Sequence, residues 1–370
     1  MARVMIRSVR VRAGSHPYEV RIGADHLADL PAALRRLKLG RTCMVVSNRM
    51  ILRRQGSRLL PLLRRGGTSV QVLEIGNSER SKSWNTAGHL LRRLADEDAP
   101  GKGMFLLLFG GGVIGDLGGL VAGLYRRGIP LVQLPTTLLA QVDSSIGGKT
   151  AVDLPQGKNL VGLFNPPALV FIELNFLRTL SDRQFRSGLA EVIKCGVIRD
   201  AALFSFLEQS SFETLRKNVR ALQEVVVRAV RVKADLVSAD ERETRGLRTL
   251  LNFGHTFGHA LESASGYSRV VTHGEAVALG MRVAADLSRR LGLLSAADAQ
   301  RIQKLLNQFG LPRTVRKVRL QAVLKAMAHD KKWLRGRNRW VLPTAIGRAV
   351  VREGISDAQV LRSMRTVLEG

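Results

Sequence analysis

The stretch LLNFGHTFGHALESASGYSRVVTHGE, residues 250–275, gathers three of the chain's seven histidines together with two glutamates. His255 and His259 are four residues apart, a spacing that sets both imidazoles on one face of a helix. Two such ligands with a carboxylate make a divalent-metal site that keeps room for a substrate. His273 follows where the next helical segment starts. The residue after His255 is Thr256, not the glutamate of an HExxH pattern, which argues against peptide hydrolysis. The carboxylate has to come from elsewhere, and Glu191 is a candidate. It lies in the apolar helical segment GLAEVIKCG with Lys194 three residues on. A charged pair on an apolar face is costly unless it is used or mutually satisfied.

A second constellation suits phosphate. FLLLFGGGVIGDLGGLVAGLYRRG places a strand, a glycine turn and a helix in series. Such a turn lets backbone N–H groups approach an anion, and the helix N-terminus adds partial positive charge, so a nucleotide diphosphate fits there. The pattern is not the usual GxGxxG, and a tight structural turn is the alternative reading. SSIGGKT ends like a P-loop, but Asp143 stands where its first glycine belongs, which sets aside an ATPase. Upstream, Glu79 and Lys82 precede a helix, where a carboxylate can meet a ribose hydroxyl.

The elements that must hold these residues follow from periodicity. Residues 3–11 and 18–22 predict a hairpin, and TCMVVS, SVQVLEI, MFLLLF and IPLVQLP are short apolar strands separated by helix-length segments. That alternation predicts a parallel sheet covered by helices. After about Leu180 strand signals nearly vanish, and long amphipathic helices take over, among them TLRKNVRALQEVVVRAVRVKADLV and GEAVALGMRVAADLSRRLG. The expected fold is α/β: a Rossmann-like parallel-sheet domain over residues 1–178 that binds nucleotide, then an all-helical metal- and substrate-binding domain over 179–370.

Composition narrows the classes further. The chain carries 58 Lys and Arg against 30 Asp and Glu, a formal charge of +28, which raises nucleic-acid binding. Yet the basic residues are spread through nearly every segment, aromatics make up only 5%, and zinc-finger spacings are absent. An Arg-rich solvated surface with non-specific adhesion to polyanions is the favoured reading. No apolar run reaches the roughly 18 residues of a membrane span, and the N-terminus lacks a leader pattern, so the expected location is cytoplasmic. Cys43 and Cys195 are too few for a disulfide framework.

Five motifs, GGGVIGDLGG, QLPTTLLAQVDSSIGGKTAVDLPQGKNLVGLFNPP, SGLAEVIKCGVI, DERETRGLRTLLNFGHTFGHALE and HGEAVALGM, resemble the 3-dehydroquinate synthase family in order and spacing. The resemblance runs from about residue 3 to 360 and is strongest from 110 to 280. It implies catalytic use of bound NAD and a divalent metal, zinc or cobalt, to cyclise 3-deoxy-arabino-heptulosonate 7-phosphate. In that chemistry a hydroxyl is oxidised, the neighbouring C–H becomes acidic, phosphate leaves, the hydride returns, and ring opening with an internal aldol step closes the carbocycle.

Residue by residue, the resemblance implies Glu191, His255 and His273 as metal ligands, in place of the His255 and His259 pair that spacing suggests. His259 becomes an acid–base or phosphate-orienting residue, and Glu243 a proton acceptor. Arg127, Lys149, Lys194, Lys233 and Arg248, with Asn159, Asn252 and Asp143, are implied around the substrate, and the DKK segment adds Lys331 or Lys332. For NAD the matching positions are Glu79, Lys82, Gly111, Gly112, Asp116, Thr136, Thr137, Lys158, Phe176 and Thr179. A homodimer is also implied. Three departures stand out: DERETRGLR is one residue longer than usual, Glu173 and Ser181 replace a more usual Asp and Pro, and VVSNRM lacks an acidic residue. The competing readings are a related cyclase acting on sedoheptulose 7-phosphate and, from another class, a homologue retained for binding RNA.

Overall fold

Short runs of Val, Leu, Ile and Phe buried on both sides form the centre of the first unit. In the computed structural model, which describes residues 4–12, 17–98, 103–266, 271–316, 318–329 and 338–368, nine strands precede residue 174. They are β1 (Arg7–Val11), β2 (Tyr18–Gly23), β3 (Thr42–Asn48), β4 (Ser69–Ile75), β5 (Met104–Gly110), β6 (Leu131–Pro135), β7 (Lys149–Leu154), β8 (Gly157–Phe164) and β9 (Leu169–Glu173). Seven form one sheet in the order β1-β2-β9-β6-β5-β3-β4. All neighbours pair in parallel except β1 on β2. The turn of this predicted hairpin, residues 13–16, lies outside the described residues.

Because side chains alternate along a strand, β5 feeds two cores. Leu106 and Leu108 face Val46, Leu117 and Val121, while Leu107 and Phe109 face Val45, Leu59, Phe171 and Phe176. A sheet covered on both faces in this way presents the C-terminal strand ends as its open edge, where loops collect functional groups.

The chain divides into two compact units, residues 1–180 with 222–242, and 181–221 with 243–370. The predicted single helix from Thr214 onward is broken. Asn218 separates helices Phe212–Lys217 and Val219–Ala239, its side-chain oxygen accepting from the N–H groups of Arg220 (3.0 Å) and Ala221 (3.1 Å). The second of these helices belongs to the first unit, where Gln223 Nε2 donates to the carbonyls of Met5 (2.9 Å) and Ile22 (3.1 Å).

Among its described residues the second unit is helical apart from one hairpin, β10 (Arg339–Ala345) and β11 (Arg348–Glu353). Its exposed, arginine-rich second strand gives little apolar signal, which is why periodicity alone predicts helices throughout. The departures at Glu173 and Ser181 have local reasons. The Ser181 hydroxyl caps helix Asp182–Ile198 by accepting from Gln184 N (3.4 Å). The buried Glu173 carboxylate accepts from the N–H groups of Asp25, His26, Leu27 and Asn175 at 2.9–3.1 Å. Among the described residues no helix is long and apolar enough to cross a membrane.

Candidate functional site

In the second unit three helices converge on one cluster. Helix His255–Ala264 opens directly after Gly254, whose φ of 80° is a left-handed turn that favours glycine. It packs so closely on helix His273–Arg290 that a Cβ on Gly280 would lie 1.8 Å from the Gly254 carbonyl oxygen. His255 and His273 are each the first residue of their helix. The second start is fixed by a capping box between Thr272 and Glu275, and Glu275 is further held by Arg183 at 2.7 and 2.8 Å.

Both histidines turn Nε2 toward Glu191. Its Oε1 is 3.7 Å from His255 Nε2 and 3.7 Å from His273 Nε2. A tetrahedral ion with bonds of about 2.1 Å holds its ligand atoms roughly 3.4 Å apart, so the three donors fit a divalent metal with little movement. The far nitrogens are committed. His255 Nδ1 donates to the Phe253 carbonyl and His273 Nδ1 to Glu262 Oε2, each at 3.1 Å, which leaves Nε2 of each ring to coordinate. Burial works against the His273 imidazolium, but the carboxylates of Glu262 and Glu191 outweigh it and push its pKa up to about 10. The pocket favours positive charge. Spacing alone would pair His259 with His255; the two rings lie edge to face with centroids 5.1 Å apart, and His259 stands beside the Glu191 triad.

The neighbouring candidates are arranged in pairs. Lys194 forms an ion pair with Glu191, both side chains being 1% exposed. Asn252 Nδ2 donates to Glu243 Oε1 at 2.8 Å, and Arg248 is buried in the short turn Arg248–Asn252. Glu243 has a φ of 58°, an uncommon conformation for a glutamate and one that clusters at functional positions.

In the first unit the strand-to-helix turn is as predicted. β5 ends at Gly110, and helix Gly112–Leu124 starts after Gly111. Cβ atoms would come within 3.2 Å of the Thr137 side chain at Gly111 and 3.3 Å of the Ser144 side chain at Gly112, tight contacts that a bare backbone avoids. With its helix N-terminus at the C-terminal end of a parallel strand, this turn suits a dinucleotide diphosphate. Thr136 N donates to the Gly110 carbonyl, and Thr137 Oγ1 accepts from Ala140 N. GKT enters β7 and no helix, in keeping with rejection of a P-loop.

Lys82 is buried and donates to Asp116 Oδ2 (2.5 Å) and to Asn159 Oδ1, which brings an expected substrate residue into the expected cofactor group. Burial works against its charge, but Asp116, Glu79 and Asp153 outweigh that and hold its pKa above the usual value. Lys158 pairs with Glu79 at 3.3 Å. Lys233 pairs with Asp143 at 2.5 Å, Asp143 lying on a π-helical turn, Ala140–Ser144. Lys149 and Arg127 are exposed, and Arg127 and Asn159 also have positive φ, 62° and 56°. Thr179 Oγ1 donates to the Phe176 carbonyl and accepts from Gln55, whereas the Phe176 ring is packed in the core against Phe109. Only the backbone of Phe176 is left to meet a ligand. Lys331 and Lys332 lie outside the described residues.

Sequence reasoning missed Glu262 and Asp153. Glu262 is seven residues after His255 and three after His259, a helical-face spacing that could have marked it. A cavity of about 450 Å³ lined by Arg10, Tyr18, Arg21 and Arg36 contains none of the candidate residues.

Residues 72–187 match the family model described as 3-dehydroquinate synthase N-terminal, and residues 188–333 the one described as 3-dehydroquinate synthase C-terminal. A 3-dehydroquinate synthase from Pelotomaculum thermopropionicum is 44% identical over 95% of this chain and 94% of its own length. One from Thermodesulfovibrio yellowstonii is 42% identical over 95% of this chain and 97% of its own. Among solved structures, the 2-epi-5-epi-valiolone synthase ValA from Streptomyces hygroscopicus subsp. jinggangensis 5008, with NAD+ and Zn2+ bound, superposes with a TM-score of 0.86. It is 30% identical, covering 94% of this chain and 96% of that one.

Proposed function

Since this chain belongs to the 3-dehydroquinate synthase family, we propose that it converts 3-deoxy-D-arabino-heptulosonate 7-phosphate into 3-dehydroquinate and phosphate. The observation that carries this reading is the Glu191, His255 and His273 donor set, with the Glu243 and Asn252 pair and buried Lys194 and Arg248 in the same unit. Those three donors would hold a divalent metal, zinc or cobalt, which when bound polarises a substrate hydroxyl and eases its deprotonation. The Gly111 and Gly112 turn, with Glu79, Lys82, Asp116, Thr136, Thr137, Lys158, Thr179 and the Phe176 backbone, would hold NAD, which supplies the reversible hydride acceptor.

The chain's own groups do the rest. Arg127, Lys149, Lys194, Lys233, Arg248 and Lys332 supply positive charge for a phosphate dianion and a carboxylate. Asp143 and Asn159 meet hydroxyls. The Lys233 ammonium offsets the Asp143 charge, so an anionic substrate is not repelled. Glu243, oriented by Asn252, accepts a proton on its carboxylate, and His259 moves one on its imidazole toward the departing phosphate. The formal charge of +28 also supports salt-sensitive adhesion to polyanions.

The test offers the purified protein, with NAD and zinc or cobalt, the heptulosonate phosphate and sedoheptulose 7-phosphate separately, following phosphate and cyclic product. Turnover of the first alone supports the proposal. Turnover of the second alone moves the function to another cyclase.

A further inference from the structure

We propose that Glu262 is the positioning residue of the metal centre, its carboxylate holding the His273 imidazole in the tautomer and orientation that present Nε2 to the cation. The proposal rests on the metal-binding reading above and adds a residue that spacing did not single out. Glu262 stands on the last turns of helix His255–Ala264, on the face that carries His255 and His259, and is buried. Its Oε2 is 3.1 Å from His273 Nδ1, while Glu191 Oε1 is 3.7 Å from Nε2 of the same ring.

The two nitrogens of an imidazole point in diverging directions. Glu262 therefore lies behind the ring as seen from Glu191, outside the set of donors that one cation could share with His255. An ionised carboxylate can only accept, so Nδ1 keeps its proton, and Nε2 is the nitrogen that gives up its own to present a lone pair when a cation binds. The negative charge behind the ring also makes that lone pair a better donor.

The two histidine ligands are aimed by different devices. His255 leans on the Phe253 carbonyl, a backbone group that no substitution removes, and its side chain is 9% exposed. The His273 side chain is 28% exposed, so surrounding atoms constrain its rotation less, and a side chain supplies the anchor. The capping box at Thr272 and Glu275 sets where the His273 backbone sits but does not touch its ring nitrogens. Glu262, His259 and His273 also place one donor atom each within 4.8 Å of one another, so the same carboxylate stands beside the acid–base candidate.

The experiment compares Glu262→Gln and Glu262→Leu with the parent, each stripped with chelator and titrated with Zn2+ against a chelating dye, then with Co2+ while visible absorption is recorded. Removing such an outer partner typically weakens metal binding by about 10–100-fold. The Leu variant, which loses both acceptor and charge, is expected near the top of that range, with an altered Co2+ spectrum. The Gln variant keeps an acceptor oxygen and is expected near the bottom, with NAD binding as in the parent. Zn2+ affinity within about twofold of the parent in both variants, with the parental Co2+ spectrum, overturns the proposal. If the Leu variant does not fold, the Gln variant alone decides on the same criterion. A parent that takes up neither ion overturns the metal-site reading and the proposal with it, a result distinct from unchanged variants of a metal-binding parent.

Discussion

Glu191→Gln separates two jobs of one carboxylate, because Glu191 is both a proposed metal donor and the partner of Lys194, with both side chains 1% exposed. The substitution keeps size and shape but removes the charge. An ammonium left in the interior without its carboxylate costs about 3–5 kcal/mol, and the amide oxygen of Gln can still accept from it, so the lower end, about 3 kcal/mol, applies to the metal-free protein. For a unit of this size that corresponds to roughly 6–12 °C in the midpoint of thermal unfolding. The assay is thermal or urea unfolding in chelator for the parent, Glu191→Gln, Lys194→Met and the double variant. The double variant should recover most of the loss, since the stranded charge is gone, and the cycle should give a coupling of at least about 2 kcal/mol. Metal content by elemental analysis is read on the same samples without chelator and should fall to background in Glu191→Gln. A coupling under about 0.5 kcal/mol would refute the charge argument. Parental metal content would refute the ligand assignment.

Glu275 connects stability to pH. Burial opposes its ionisation, but hydrogen bonds from Arg183 and from the Thr272 backbone outweigh it and hold its carboxyl below the ordinary glutamate value. The stability difference between the parent and Glu275→Gln should therefore be full above about pH 4.5 and vanish as pH falls through the depressed value; a difference that grows on acidification contradicts it. Gly280→Ala puts a methyl 1.8 Å from the Gly254 carbonyl oxygen, and since backbone cannot swing aside it should cost about 3 kcal/mol or more and weaken Zn2+ binding. Unchanged stability would show that the two helices separate freely. Lys82→Ala should weaken NAD binding about tenfold in a fluorescence titration, the loss of one charge-assisted contact. Because Lys82 is held above its usual pKa, parental NAD affinity should be flat between about pH 6 and 9.

Much of the sheet was legible because its strands are short and mostly apolar: MFLLLF lies within β5, buried at every residue, and SVQVLEI coincides with the edge strand β4, where exposed residues alternate with covered ones. The β7–β8 hairpin was not predicted, since β8 reads GKNLVGLF and is largely exposed, leaving no buried stripe to signal it. The Asn218 break was missed because apolar periodicity runs on through it, while the cap that ends one helix and starts another is a single side chain. In the proposed metal site, residue type and helical spacing pointed to His255 and Glu191, while the preference for His273 over His259 came only from the family resemblance. That choice depends on how two helices cross, and the crossing depends on Gly254 and Gly280, which carry no chemistry themselves. Pairings such as Lys233 with Asp143, 90 residues apart, and Lys82 with Asn159, 77 apart, are tertiary facts that local pattern cannot supply.

The central claim is that the chain uses NAD and a metal to rearrange a phosphorylated sugar acid without net oxidation. Its most direct test is a single-turnover stopped-flow measurement with the heptulosonate phosphate, recording reduced-nicotinamide absorbance and phosphate release together. The account predicts a transient of reduced nicotinamide that rises and decays to zero while one phosphate is released per active site, with both signals abolished by chelator. Reduced nicotinamide that accumulates and stays, or phosphate release that persists in chelator, would contradict it.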